Sequence, residues 1–161
     1  MTIGFILNGE DVVVRTDAGT RLVDILRSTF HLLGTKAGCY SGKCGACSIL
    51  FNGDIVKSCL IPAFKIRDSE IITIEGFSQT DEYRDIIRAF TETGVDCCGF
   101  CNTGKILATE GLLSRNVRPS KPEILAAFHG IRCRCTDPDE MVRMVTAAAE
   151  YRKRRLYGRS S

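Results

Sequence analysis

The chain has 161 residues, 44% hydrophobic and 25% charged, with a formal net charge of +3. That balance belongs to a folded globular protein and excludes a disordered polyelectrolyte. Its apolar runs, such as "CSILF" and "CLIPAF", fall far short of the roughly 18 residues of a membrane span.

The start, "MTIGFILNGE", lacks a basic n-region and a full apolar h-region, so a cytoplasmic protein is expected. Strand-like "IGFIL" and "VVVRT" flank Asn8-Gly9, a hairpin signal. Leu22, Ile25, Leu26 and Phe30 then repeat at helical spacing, with Thr20 as the predicted N-cap. After a glycine-rich loop, "SILFNGDIVKSCL" predicts a second hairpin turning at Asn52-Gly53, and "SEIITIEGF" a further β-branched strand. From Tyr83 the period changes. Tyr83, Ile86, Ile87 and Phe90 mark one helix and "GKILATEGLLSR" a second. "PSKPEILAAFHG" carries the capping-box pair Ser120 and Glu123. "DPDEMVRMVTAAAEYRKRR" opens on a predicted Asp137 cap, with acidic residues early and basic ones late. The expected architecture is α+β, a sheet-and-helix domain over 1–77 followed by a bundle of four short helices over 78–161. Units of this size draw only about 3–5 kcal/mol from a hydrophobic core, so each should carry a staple.

Nine cysteines without an export signal point to metal or redox chemistry, and the odd count would leave a disulfide-only framework one thiol over. Cys39, Cys44, Cys47 and Cys59 read C-x4-C-x2-C followed, after eleven residues, by a fourth cysteine. That is the plant-type [2Fe–2S] pattern. A rhomb of two irons and two sulfides needs four thiolates and a loop whose peptide N–H groups can turn toward sulfur, which accounts for Gly38, Gly42, Gly45 and Ala46. A structural zinc would more commonly use C-x2–4-C knuckle pairs. Further on stand Cys98-Gly99-Phe100-Cys101 and Cys133-Arg134-Cys135. Taken alone, C-x-x-C with C-x-C fits zinc, a redox dithiol or a cluster. Each pair precedes a predicted helix, one starting near Thr103 and the other near Asp137. Two helix N-termini facing four thiolates would favour an anionic cluster.

"GCYSGKCGACSIL" together with "CGFC" and "RCRCT" resembles the iron–sulfur subunit of the molybdenum hydroxylases, the xanthine oxidase family, over essentially the whole chain. The resemblance implies a β-grasp ferredoxin-like domain and a C-terminal four-helix bundle, each with one [2Fe–2S] cluster. It implies partner subunits carrying a molybdenum–pterin cofactor and FAD. Electrons would pass from molybdenum through the helical-domain cluster, held by Cys98, Cys101, Cys133 and Cys135, to the ferredoxin-like cluster, held by Cys39, Cys44, Cys47 and Cys59, and then to FAD or another acceptor. It also implies that Cys135 lies against the pterin. The chain departs from the family pattern beside the helical-domain ligands. Cys97 stands where the family has a pterin-contacting glutamine, Asn102-Thr103-Gly104 replaces T-P-G, and "IRCRCTDP" replaces N-L-C-R-C-T-G-Y.

His31 and His129 stand alone and read as surface or satisfied polar residues, and no two histidines suggest a Rieske site. Cys97 reads as a small residue in a buried loop more readily than as a ninth ligand, a redox thiol or a pterin neighbour. Arg132 and Arg134 would stabilise a reduced cluster or dock a partner. The tail "YRKRRLYGRSS", with five basic residues, reads as a solvated helix end more readily than as a docking arm. No hydrolytic triad or phosphate loop appears, so no substrate turnover is expected from this chain alone. The alternatives are a free-standing two-cluster redox carrier or sensor and a zinc-stapled adaptor.

Overall fold

The computed structural model describes residues 1–94, 99, 101–133 and 136–158. Two hairpins frame its first half. Strand β1 (Thr2–Leu7) pairs antiparallel with β2 (Glu10–Arg15), Thr2 opposite Arg15 and Leu7 opposite Glu10. The turn residues Asn8 and Gly9 both adopt left-handed backbone, φ 50° and 85°, as a type I′ turn requires. Asn52 and Gly53, at φ 48° and 87°, make the same turn between β3 (Ser48–Phe51) and β4 (Asp54–Lys57). Strand β5 (Glu70–Ile72) runs parallel to β1 and antiparallel to β3, giving a mixed sheet of order β2-β1-β5-β3-β4.

Alternation along the strands decides what each face covers. Ile3, Phe5, Leu7 and Ile49 pack with Leu22, Ile25 and Leu26 of the crossing helix. Leu50, one residue beyond Ile49, points the other way and joins the core of the helical half. The crossing helix α1 (Leu22–Asp24) widens at once into a π turn, Ile25–Thr29. Its N-cap is Arg21 rather than Thr20, whose hydroxyl instead accepts from Thr16. The strand expected over "SEIITIEGF" stops at Ile72, and Ile74–Phe77 forms a short helix α2. A distant side chain causes the break: Asn8 accepts from the Thr73 N–H at 2.8 Å and donates to the Thr73 hydroxyl at 3.0 Å.

Four further helices follow: α3 (Asp81–Glu92), α4 (Asn102–Leu113), α5 (Lys121–Ala127) and α6 (Pro138–Tyr157). The last spans 20 residues, so the helices are not uniformly short. Ser120 and Glu123 close the expected capping box on α5, and Asp137 with Glu140 closes another on α6. Ile86, Phe90, Leu107, Leu113, Ile124, Met144 and Val145 share one core with Leu50 and Phe77. The two halves are therefore joined by apolar packing as well as by chain. Residues 154–158 of the basic tail are exposed, as expected of a solvated helix end, but two of its arginines are tied down. Arg152 is buried against Glu110 of α4, and Arg155 binds Asp85 and Glu82 of α3. Among the described residues, no helix is long and apolar enough to cross a membrane.

Candidate metal centres

The loop from Gly34 to Cys47 is clamped by the polar side of α1. Arg27 donates to the carbonyls of Leu33 and Thr35, Arg21 donates to that of Tyr40, and the Tyr40 hydroxyl donates to Asp24. Sequence reasoning singled out none of these residues. Their signal was the i, i+3, i+6 polar stripe opposite Leu22 and Leu26.

Within the loop, Tyr40, Gly42 and Gly45 take positive φ of 54°, 75° and 74°, which turns successive N–H groups inward. The Cys39 sulfur accepts from the peptide N–H of Ser41, Lys43 and Cys44 at 3.4, 3.2 and 3.3 Å. The Ser41 side chain and these peptides bring the exposed Cys39 thiol down to about 5. Cys47 and Cys59 are buried together, with the Cys59 N–H 3.5 Å from the Cys47 sulfur. Burial, with Cys47 beside it, pushes the Cys59 thiol up to about 11. The contacts thus pair Cys39 with the Cys44 peptide and Cys47 with Cys59. Among the described residues, no three His, Cys, Asp or Glu side chains converge on a single-ion site. Three N–H donors on the Cys39 sulfur and the buried neighbours Cys47 and Cys59 are the kind of surroundings that an anionic two-iron rhomb, with two thiolates per iron, would take.

In the second set, Cys101 is the N-cap residue of α4 and is buried, and Cys133 is half-buried. Their sulfurs lie 3.1 Å apart, well beyond the roughly 2.05 Å of a disulfide. Cys97, Cys98, Arg134 and Cys135 lie outside the described residues. The α4 N-terminus carries no side-chain cap, in keeping with expectation. The α6 N-terminus differs, because Asp137 accepts from the Glu140 N–H at 2.8 Å and Glu140 accepts in return from the Asp137 N–H at 3.0 Å. Two carboxylates thus occupy two N–H donors at the start of α6, whereas among the described residues no side chain caps α4. His31 and His129 are both exposed and form part of neither site.

The two cysteine-bearing loops touch. The Arg132 N–H donates to the Cys44 carbonyl at 3.1 Å. A Cβ on Gly45 would stand 2.6 Å from the Gly130 carbonyl oxygen, and one on Gly104 would stand 2.6 Å from the Gly45 oxygen. These contacts are backbone on backbone, so only glycine fits. Thr103 adds a hydroxyl bond to the Gly34 carbonyl at 2.8 Å.

A mixed-sheet half with a glycine-rich thiol loop, followed by a helical half with thiols at an open helix end, defines a two-domain iron–sulfur protein. Residues 5–71 match the 2Fe-2S iron-sulfur cluster binding domain and residues 73–146 the [2Fe-2S] binding domain. The nicotinate dehydrogenase small FeS subunit of Eubacterium barkeri is 41% identical over 136 residues, covering 84% of this chain and 87% of that one. Among solved structures, quinoline 2-oxidoreductase from Pseudomonas putida 86 aligns with TM-score 0.86 at 34% identity, over 95% of this chain and 96% of that chain. Aldehyde oxidoreductase from Desulfovibrio gigas aligns at TM-score 0.86 and 32% identity over 96% of this chain, which spans 17% of that longer one. The chain belongs to the [2Fe–2S] iron–sulfur subunits of the molybdenum hydroxylases.

Proposed function

We propose that this chain relays electrons between a molybdenum–pterin subunit and FAD or another acceptor on a further subunit. Cys98, Cys101, Cys133 and Cys135 hold the helical-domain cluster. Cys39, Cys44, Cys47 and Cys59 hold the ferredoxin-like one. The domains are 1–77, a β-grasp, and 78–161, a four-helix bundle. A [2Fe–2S] cluster, when bound, takes up and returns one electron at a time. The chain's own residues supply the wiring and the insulation. The observation that carries the reading is the Arg132 N–H to Cys44 carbonyl bond. It makes a continuous bonded route from the Cys133 sulfur through the Cys133 and Arg132 backbone to Cys44 and its sulfur. Cys47 and Cys59 are buried, whereas Cys39 is exposed, where an acceptor can approach.

In sequence Cys97 directly precedes the ligand Cys98, and Cys135 is the last of the four ligands; a pterin-bearing partner would meet the chain at these two residues. An N-heterocycle or an aldehyde is the proposed substrate class of the assembled enzyme and the cytoplasm its proposed location; relatives named for nicotinate, quinoline and aldehyde support the substrate class. The test is anaerobic purification of the full chain with iron and acid-labile sulfide analysis. About four of each per chain and two distinct paramagnetic signals on reduction are expected. Cys44→Ser should remove one signal and Cys133→Ser the other. One zinc without sulfide, or both substitutions removing the same signal, would refute it.

A further inference from the structure

We infer that Lys57 tunes the ferredoxin-like centre by polarising the one peptide group that links its ammonium to the Cys39 sulfur. The inference rests on the assignment of Cys39 as a cluster ligand.

Lys57 closes β4, opposite Ser48 in the hairpin, and is half-buried. Its Nζ donates to the Gly42 carbonyl oxygen at 2.6 Å. The N–H of that same peptide belongs to Lys43 and points at the Cys39 sulfur, 3.2 Å away. Ammonium, carbonyl, amide and sulfur therefore form one hydrogen-bonded row. A cation on the oxygen of a peptide draws electron density from its nitrogen and strengthens the N–H as a donor. Reduction adds one negative charge to the four-thiolate centre. Stronger N–H···S bonds and a nearby cation favour that state, so Lys57 raises the potential.

The ammonium is held rather than free to swing away. A Cβ on Gly130 would lie 2.9 Å from Lys57 Nζ and 3.4 Å from Cε. The side chain is wedged between the Cys39–Cys44 loop and the loop leading to Cys133. Among the described residues no carboxylate is within ion-pair distance of it, so its charge is not cancelled locally. Lys57 touches no sulfur itself and acts as a positioning residue.

The experiment is a paramagnetic-resonance redox titration of the full chain carrying both clusters, for wild type, Lys57→Met, Lys57→Gln and Lys57→Arg. At the potential where the wild-type ferredoxin-like centre is half reduced, Lys57→Met should show a reduced-to-oxidised ratio about tenfold lower, a midpoint about 59 mV more negative for a one-electron couple. Lys57→Gln keeps a donor on the Gly42 carbonyl without the charge and should fall between Met and wild type. Lys57→Arg should restore most of the shift, and the helical-domain centre should move less in every variant. If Lys57→Met loses iron, Lys57→Gln carries the comparison and must still lie below wild type. Unmoved potentials with iron intact would overturn the inference alone, as would equal shifts in Lys57→Met and Lys57→Arg. A wild-type chain without two reducible centres would sink the ligand assignment and the inference with it.

Discussion

Removing the guanidinium of Arg152 tests how the helical half is held together. Arg152 of α6 sits 2.5 Å from Glu110 of α4, with side chains only 4% and 13% exposed. Its Nε, also buried, has no hydrogen-bond partner among the described residues, so the pair is incompletely compensated. Removing one member of a buried pair leaves an uncompensated charge and costs about 3–5 kcal/mol, or roughly a hundredfold to a few thousandfold in the folding equilibrium. Arg152→Met should be destabilised on that scale. The double substitution Glu110→Leu with Arg152→Met should recover most of the loss, since a packed apolar pair is often as stable as a buried ionic one.

The effect has a pH signature. Burial raises the Glu110 carboxyl even with Arg152 opposing it, and Arg152→Met removes that opposition. An unfolded glutamate releases its proton near pH ~4.3, while the folded variant retains it to higher pH. The variant's proton-linked stability is therefore fully present below the unfolded value and is lost as pH rises through the folded one. Its deficit against wild type should be largest near pH 8 and shrink toward pH 5. Urea midpoints followed by helical circular dichroism at both pH values measure this. A variant as stable as wild type at pH 8, or a deficit that grows on acidification, would refute the reasoning.

Three shorter tests address the loops and caps. Gly45→Ala should lose about 1–2 kcal/mol from left-handed backbone alone, plus the contact with the Gly130 oxygen 2.6 Å away. Gly53→Ala, with open space around it, loses only the backbone part, so equal thermal destabilisation of the two would disprove the seam contact. Asp137→Ala should destabilise α6 by about 1 kcal/mol through loss of its cap, read as a lower urea midpoint, whereas Asp137→Asn should be nearly silent. In chelator-treated, cluster-free chain at pH 7, Cys39 at about 5 is thiolate and Cys59 at about 11 is not. Iodoacetamide followed by peptide mapping should therefore label Cys39 first, and equal rates would contradict the loop geometry.

Much of this protein was legible as local chemistry. Asn8-Gly9 and Asn52-Gly53 announced turns that any right-handed hairpin needs. Ser120, Glu123 and Asp137 announced helix starts, because a cap joins residues only two or three apart. The cysteine spacing suggested two thiol sets, and of their described members Cys101 and Cys133 come together in space, as do Cys47 and Cys59. The misreadings share a different cause. Asn8 ends β5 from 65 residues away, Glu110 withdraws Arg152 from solvent across 42 residues, and Glu140 takes the Asp137 N–H at a helix start expected to face a cluster.

By itself, then, the sequence determined the turns, the caps of α5 and α6, the cysteine spacing and the family, all carried by side chains acting on their own stretch of backbone. Only the tertiary structure decided that the two thiol loops meet. That contact depends on Gly45, Gly104 and Gly130 lying backbone to backbone. A glycine in sequence signals freedom of φ but not which distant carbonyl will come to rest against it.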